Sequence, residues 1–149
     1  MGKLKGNIME VKQLTESQYF IRLDRGESVN QTLKKWCVEN SVKCGRIHGL
    51  GALEKVELGY YDYHKDEYQS KLFEQEYELL SMEGNISMME GEPFVHLHVS
   101  LSDEEYRSFG GHMFDGVVAV TAECWIETFP YDFVRHKGDK EKFRPISFS

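Results

Sequence analysis

Proline is scarce in this sequence. Three occur in 149 residues, Pro93, Pro130 and Pro145, each at a place that reads as a turn or an exposed end. No linker, repeat or low-complexity tract divides the chain, so one domain over residues 1–149 is expected. Cysteine is equally rare: Cys37, Cys44 and Cys124 are an odd set with no C-x-x-C spacing. That argues against a disulfide framework and a thiolate zinc knuckle, and leaves reduced, buried thiols as the expectation. No apolar run approaches the roughly 20 residues of a membrane helix. The opening "MGKLKGNIMEVKQL" lacks the apolar centre of a signal peptide. A cytoplasmic protein that enters no membrane is therefore expected.

Positive charge is also in short supply. Lys and Arg number 18 against 25 Asp and Glu, a formal net charge of −7. Holding a phosphate backbone takes clustered Lys and Arg. The one dense basic run, "RHKGDKEKFR" from Arg135 to Arg144, is interrupted by Asp139 and Glu141. Direct nucleic-acid binding is disfavoured on this ground.

What is present is a globular balance, 40% hydrophobic and 29% charged. "QYFIRL" alternates like a strand, and "RGES" breaks it. From Ser28 the period changes. Val29, Leu33, Trp36 and Cys37 fall on one helical face, predicting a helix over 29–40, with Ser28 and Gln31 spaced as a capping box. "CGRIHGLGALEKVELGYYDY" returns to β character, with a bend or bulge at Gly49 and Gly51. "HKDE" and "EGEP" read as turns, "SDEEYRSFGG" as a loop with one helical turn, and "VVAVTAECWIETF" as a long strand. "RPISFS" closes the chain as a short strand.

The sum is an α+β domain: a twisted, largely antiparallel sheet of about seven strands with one main helix. So little helix leaves a sheet face uncovered. Trp125, Phe129, Tyr131 and Phe133 are candidates for that face, and self-association is the usual way to bury it.

The chemistry-bearing segment is "FVHLHVSL", Phe94 to Leu101. Val95, Leu97, Val99 and Leu101 make one apolar strand face, which puts His96 and His98 side by side on the other. Two adjacent buried imidazoles need partners: hydrogen bonds, water or a metal ion. A third arrives in "GGHM". Thirteen residues separate His98 from His112, enough for the chain to turn and lay His112 beside the pair, with Gly110 and Gly111 permitting close backbone approach. Three imidazoles at one point suit Zn²⁺, at about 2.0–2.1 Å per Zn–N bond. All-nitrogen ligation also admits Ni, Cu or Fe. The plainer alternative is two hydrogen-bonded strand histidines and a surface turn histidine.

His48, beside the glycine bend, is a possible neighbour of the site, or a satisfied core or interface histidine. Three protein ligands leave a position open for water or substrate, which would call for a general base. Glu78 and Glu123 are the candidate strand carboxylates; the plainer reading is an exposed face or an ion pair with Arg22 or Arg46. His64 and His136 lie in polar turns and should be exposed. The G-x-G of "GRIHGLGAL" precedes no helical pattern, so it is no nucleotide loop. A cupin pattern also fails, because Glu90 stands where it needs glycine and Glu104 falls one position late.

In order, "IRLDRGESV", "CGRIHGLGAL", "VELGYYDY", "YELLSMEGNIS", "PFVHLHVSLSD", "GGHM" and "GVVAVTAECWI" resemble the PPC domain, the plants-and-prokaryotes-conserved domain that accompanies AT-hooks in plant nuclear proteins. The resemblance implies an α+β fold, a homotrimer, and a zinc site formed by His96, His98 and His112. It also carries a DNA-binding label, which in plant members belongs to a separate R-G-R-P-type segment. No such segment occurs here, since "FRP" at 143–145 lacks the flanking Arg-Gly. The function it implies is assembly and contact with regulatory proteins. A metal-dependent enzyme acting on a small molecule is the alternative, and DNA contact through a basic face of the trimer a third.

Overall fold

The computed structural model describes residues 9–148, so the opening segment read above lies mostly outside them. Nine strands and one helix occur among these residues, in the order β1 (Glu10–Gln13), β2 (Gln18–Asp24), α1 (Val29–Glu39), β3 (Gly45–Asp62), β4 (Glu67–Phe73), β5 (Tyr77–Met89), β6 (Glu92–Ser102), β7 (Ser108–Thr128), β8 (Val134–Arg135) and β9 (Ile146–Ser147). All pairings are antiparallel except the short parallel match of β5 with β8. The expected count of about seven strands falls short by two, β1 and the two-residue β8, while the closing strand expected in "RPISFS" is β9.

The sheet is not an open one. Strand β7 pairs with β3, β3 with β5, β5 with β6, and β6 again with β7. Two long strands make this circuit possible. The early part of β3 pairs with the late part of β7, and the later part of β3 with the start of β7. Register shifts at Gly49/Gly51 and between Glu54 and Leu58 bend β3 between those two stretches. The inward residues Ile47, Leu53, Met82, Ile86, Leu97, Leu101, Met113 and Ile126 are fully buried, in one core with Val29, Leu33, Trp36 and Cys37 of α1. Cys37, Cys44 and Cys124 are buried free thiols, and burial pushes Cys37 and Cys124 up to about 12. They are packing residues rather than nucleophiles.

Helix α1 starts where its periodicity places it, and Asn40 caps its end. The capping box does not form. Ser28 has the extended backbone of an N-cap but no local side-chain cap bond. Its hydroxyl donates instead to the Asp115 carboxylate, whose other oxygen accepts the Asn30 N–H at 3.1 Å. A carboxylate from β7 thus satisfies the helix start and complements its positive end. The expected helical turn between β6 and β7 is also missing. Asp103 accepts from the backbone N–H groups of Glu105 and Arg107, closing a short turn, and β7 resumes at Ser108.

Replacing Asp115 with alanine should therefore destabilise the protein by about 1–2 kcal/mol, and Gln31→Ala by no more than roughly 0.5 kcal/mol. Urea unfolding followed by circular dichroism reads both; equal losses would restore the local capping box.

Candidate metal centre

The site grows from a hairpin. Glu90 (φ 52°) and Gly91 (φ 82°) both adopt positive φ, the backbone of a two-residue turn matched to strand twist. Met89 then faces Glu92, and the ladder runs on to pair Asn85 with His96 and Glu83 with His98. On the other side of β6, His98 faces His112 directly. Directly opposed residues share a face, so the third imidazole joins the first two.

Close strand approach makes room for this. A Cβ on Gly84 would lie 1.9 Å from the His96 carbonyl oxygen, and one on Gly110 would lie 2.1 Å from that of Val99. Glycines on both flanks let the histidine strand sit tightly between its neighbours.

The three rings converge. Centroid separations are 5.0 Å for His96–His98, 5.1 Å for His96–His112 and 5.6 Å for His98–His112. One nitrogen from each lies within 4.8 Å of the others. A tetrahedral ion with bonds of about 2.0–2.1 Å spans nitrogens roughly 3.3 Å apart, within reach of small side-chain rotations. His96 and His112 are half-buried; His98 is exposed, unlike the buried pair expected. Burial, then the positive charge of Arg135 and the neighbouring rings, pulls His96 down to about 4. Burial, then His98 and Arg135, does the same to His112. Both rings are neutral at pH 7, the state in which imidazole ligates a metal. The donor set fits a borderline-soft divalent ion.

Aromatic rings wall the cluster. Phe114 and Tyr68 stand 4.8 Å and 5.4 Å from His112, and Phe94 lies 6.3 Å from His96. Arg135 comes from β8, seated beside Met89 of β5. Its guanidinium lies over Phe94 and donates to Ser87 Oγ (2.9 Å), Asn85 Oδ1 (3.0 Å), the Arg144 carbonyl (3.0 Å) and His96 Nδ1 (3.2 Å).

The other expected residues lie outside this group. Glu78 is exposed and pairs with Ser102, at the far end of β6 from the turn. Glu123 is exposed in the late part of β7, across from Arg22. His48 is exposed and its Nδ1 bonds to Glu83, whose backbone faces His98. His64 and His136 are exposed. Sequence reasoning missed Glu83 and Arg135. Glu83 was within reach, because a two-residue turn at Glu90–Gly91 dictates its register with His98. Arg135 had no local signal; two residues of parallel pairing deliver it.

The sequence matches the Plants and Prokaryotes Conserved (PCC) domain over residues 11–130. Among solved structures, a plant- and prokaryote-conserved protein of Pyrococcus horikoshii is 33% identical, with 92% of each chain covered and a TM-score of 0.78. A protein of Archaeoglobus fulgidus described as metal-containing is 26% identical, covering 95% of this chain and 99% of that one, TM-score 0.82. A Bacteroides thetaiotaomicron protein named as a candidate DNA-binding protein shares the fold at 22% identity, with coverage of 95% and 99% and TM-score 0.89. A curated relative, the bifunctional protein GlmU of Synechococcus sp. (strain JA-3-3Ab), is 28% identical over 120 residues; the match spans 78% of this chain and 18% of that protein.

The two depressed histidines set a pH dependence. Between about pH 6.5 and pH 4 the unfolded chain binds protons that folded His96 and His112 refuse, so metal-free stability falls as pH falls through that window. Thermal unfolding in chelator at pH 7, 6, 5 and 4 should show a steeper decline for the native protein than for a His96→Gln/His112→Gln variant. Parallel declines would mean that the rings titrate normally.

Proposed function

The chain belongs to the Plants and Prokaryotes Conserved (PCC) domain family, and we propose that it is a metal-binding homotrimeric module that works through assembly and contacts with regulatory proteins. The observation that carries this reading is the meeting of three imidazole nitrogens, two of them on rings held neutral, at one point between β6 and β7. His96, His98 and His112 would hold the ion, with zinc the first choice for three nitrogens. A neighbour described as metal-containing supports it.

Self-association draws on the outer sheet face. Near the bulge of β3, Leu50 (50%), Leu80 (51%) and Val120 (67%) are exposed, with Trp125 (52%) further along β7. Apolar side chains on adjacent strands give a second copy a surface to cover. Direct DNA binding fits less well. The chain carries a net charge of −7, and the lysines and arginines of the 135–144 run are partly engaged with Glu141 and internal carbonyls. Among the described residues no helix is long and apolar enough to cross a membrane.

A second reading, a metal-dependent enzyme acting on a small molecule, rests on Glu83. Glu83 faces His98 in the β5–β6 ladder, and its carboxylate, bonded to His48 of β3 on the other side, would have to turn toward the ion to serve as the base such chemistry needs.

Zinc titration of chelator-treated protein should give one site per chain, weakened roughly a hundredfold or more by alanine at His96, His98 or His112. Light scattering should give three times the 17.4 kDa chain mass, reduced by Val120→Asp. Absence of a zinc site would end the metal reading, and a monomer the assembly reading. Binding to duplex DNA that is tight and falls steeply with salt would favour nucleic-acid recognition instead.

A further inference from the structure

Arg135 is half-buried, and none of its hydrogen-bond acceptors carries a charge. Ser87 Oγ, Asn85 Oδ1, the Arg144 carbonyl and His96 Nδ1 are all neutral, and no carboxylate within 4 Å pairs with it among the described residues. Partly buried charges are ordinarily paired, because desolvation is costly. Here a guanidinium is fixed at its Nε, Nη1 and Nη2 edges and rests on Phe94, with one Nη2 proton aimed at the histidine cluster.

That proton and a metal ion compete for His96. A neutral imidazole has one nitrogen lone pair free for bonding and one N–H. Accepting from Arg135 at Nδ1 uses the lone pair and places the ring proton on Nε2. An ion at Nδ1 takes the place of the guanidinium. An ion at Nε2 forces the ring proton onto Nδ1, facing guanidinium protons. In either case Arg135 loses this acceptor when an ion arrives, while Ser87, Asn85 and Arg144 still hold it. A divalent cation and an unpaired guanidinium then stand side by side. Glu83, the carboxylate across from His98, is engaged with His48.

We propose that this site takes an oxyanion ligand, a carboxylate- or phosphate-bearing small molecule. Its negative group sits between Arg135 and the histidine-held ion and neutralises both. The inference rests on the metal reading above and adds the chemical class of the ligand. Arginine is suited to it, because its fork offers directed donors to carboxylate and phosphate oxygens.

Cobalt(II) serves as metal and as optical probe. The Co²⁺-loaded full chain is titrated with inorganic phosphate and, separately, with acetate, and the visible absorption of the ion is followed. Saturable spectral change is expected with at least one anion, and the preferred anion tells a phosphate site from a carboxylate site. Arg135→Gln should weaken that anion at least tenfold while still binding Co²⁺. Asn85→Asp, an isosteric change that gives Arg135 an internal carboxylate, should also weaken it at least tenfold, and guards against misfolding of the first variant. Co²⁺ bound normally, with anion affinity unchanged in both variants, would overturn the oxyanion site and leave the metal reading standing. No Co²⁺ spectrum in the native protein would overturn both.

Discussion

Strand β6 is held on both edges by backbone hydrogen bonds, to β5 on one side and to the start of β7 on the other. Nearly everything else in the molecule follows from that double clamp. It completes the circuit β7–β3–β5–β6, turns Val95, Leu97, Val99 and Leu101 into the core, and leaves His96 and His98 outside with His112 alongside. Because side chains alternate with a period of two, a slip of one residue would send both histidines inward and four apolar groups into water. Burial of those apolar groups, worth roughly 1.5–3 kcal/mol each, therefore holds the imidazoles in place without any bond to them. The positive-φ turn at Glu90–Gly91 fixes the register on one side, and glycine at 84 and 110 permits the close fit on both.

The parts legible in the sequence are those governed by local periodicity. Helix α1 announces itself by Val29, Leu33, Trp36 and Cys37, all buried in the structure. The alternation of Phe94–Leu101 and the glycines before His112 were enough to bring three rings to one place on paper. What stayed hidden depends on distant partners. Ser28 and Gln31 have the spacing of a capping box, yet Asp115 takes the role because tertiary packing brings a carboxylate to the helix start. The closed circuit was invisible, because nothing local says that one strand will pair with the same neighbour twice. Arg135 sat inside a basic run that composition treats as solvated surface, whereas a two-residue ladder folds it in against Phe94 and His96. Glu78 and Glu123 were suggested by residue type alone, and register carries both away from the rings.

Electrostatically the molecule sets a local exception against its overall sign. The chain is acidic. Around the histidines, however, Arg135 supplies a fixed positive charge that helps keep His96 and His112 unprotonated. Family membership is compatible with several activities, since a shared fold does not fix chemistry. The arginine and the rings together narrow the range, because they favour a cation that tolerates nitrogen ligands and a counter-charge that guanidinium can recognise.

The closed circuit also governs how the protein behaves in a crowded solution. A strand with an unsatisfied edge is a template on which other chains polymerise. Here the longest strands pair with one another along much of their length; among the described residues, edges remain at β1, β4 and β9 and along the first half of β6, which meets β7 only from Leu97 onward. These are short, and β1 and β4 carry Glu10, Lys12, Glu67 and Lys71. In a protein with this much β-structure, that geometry leaves little long, uncharged edge on which another chain could add a strand.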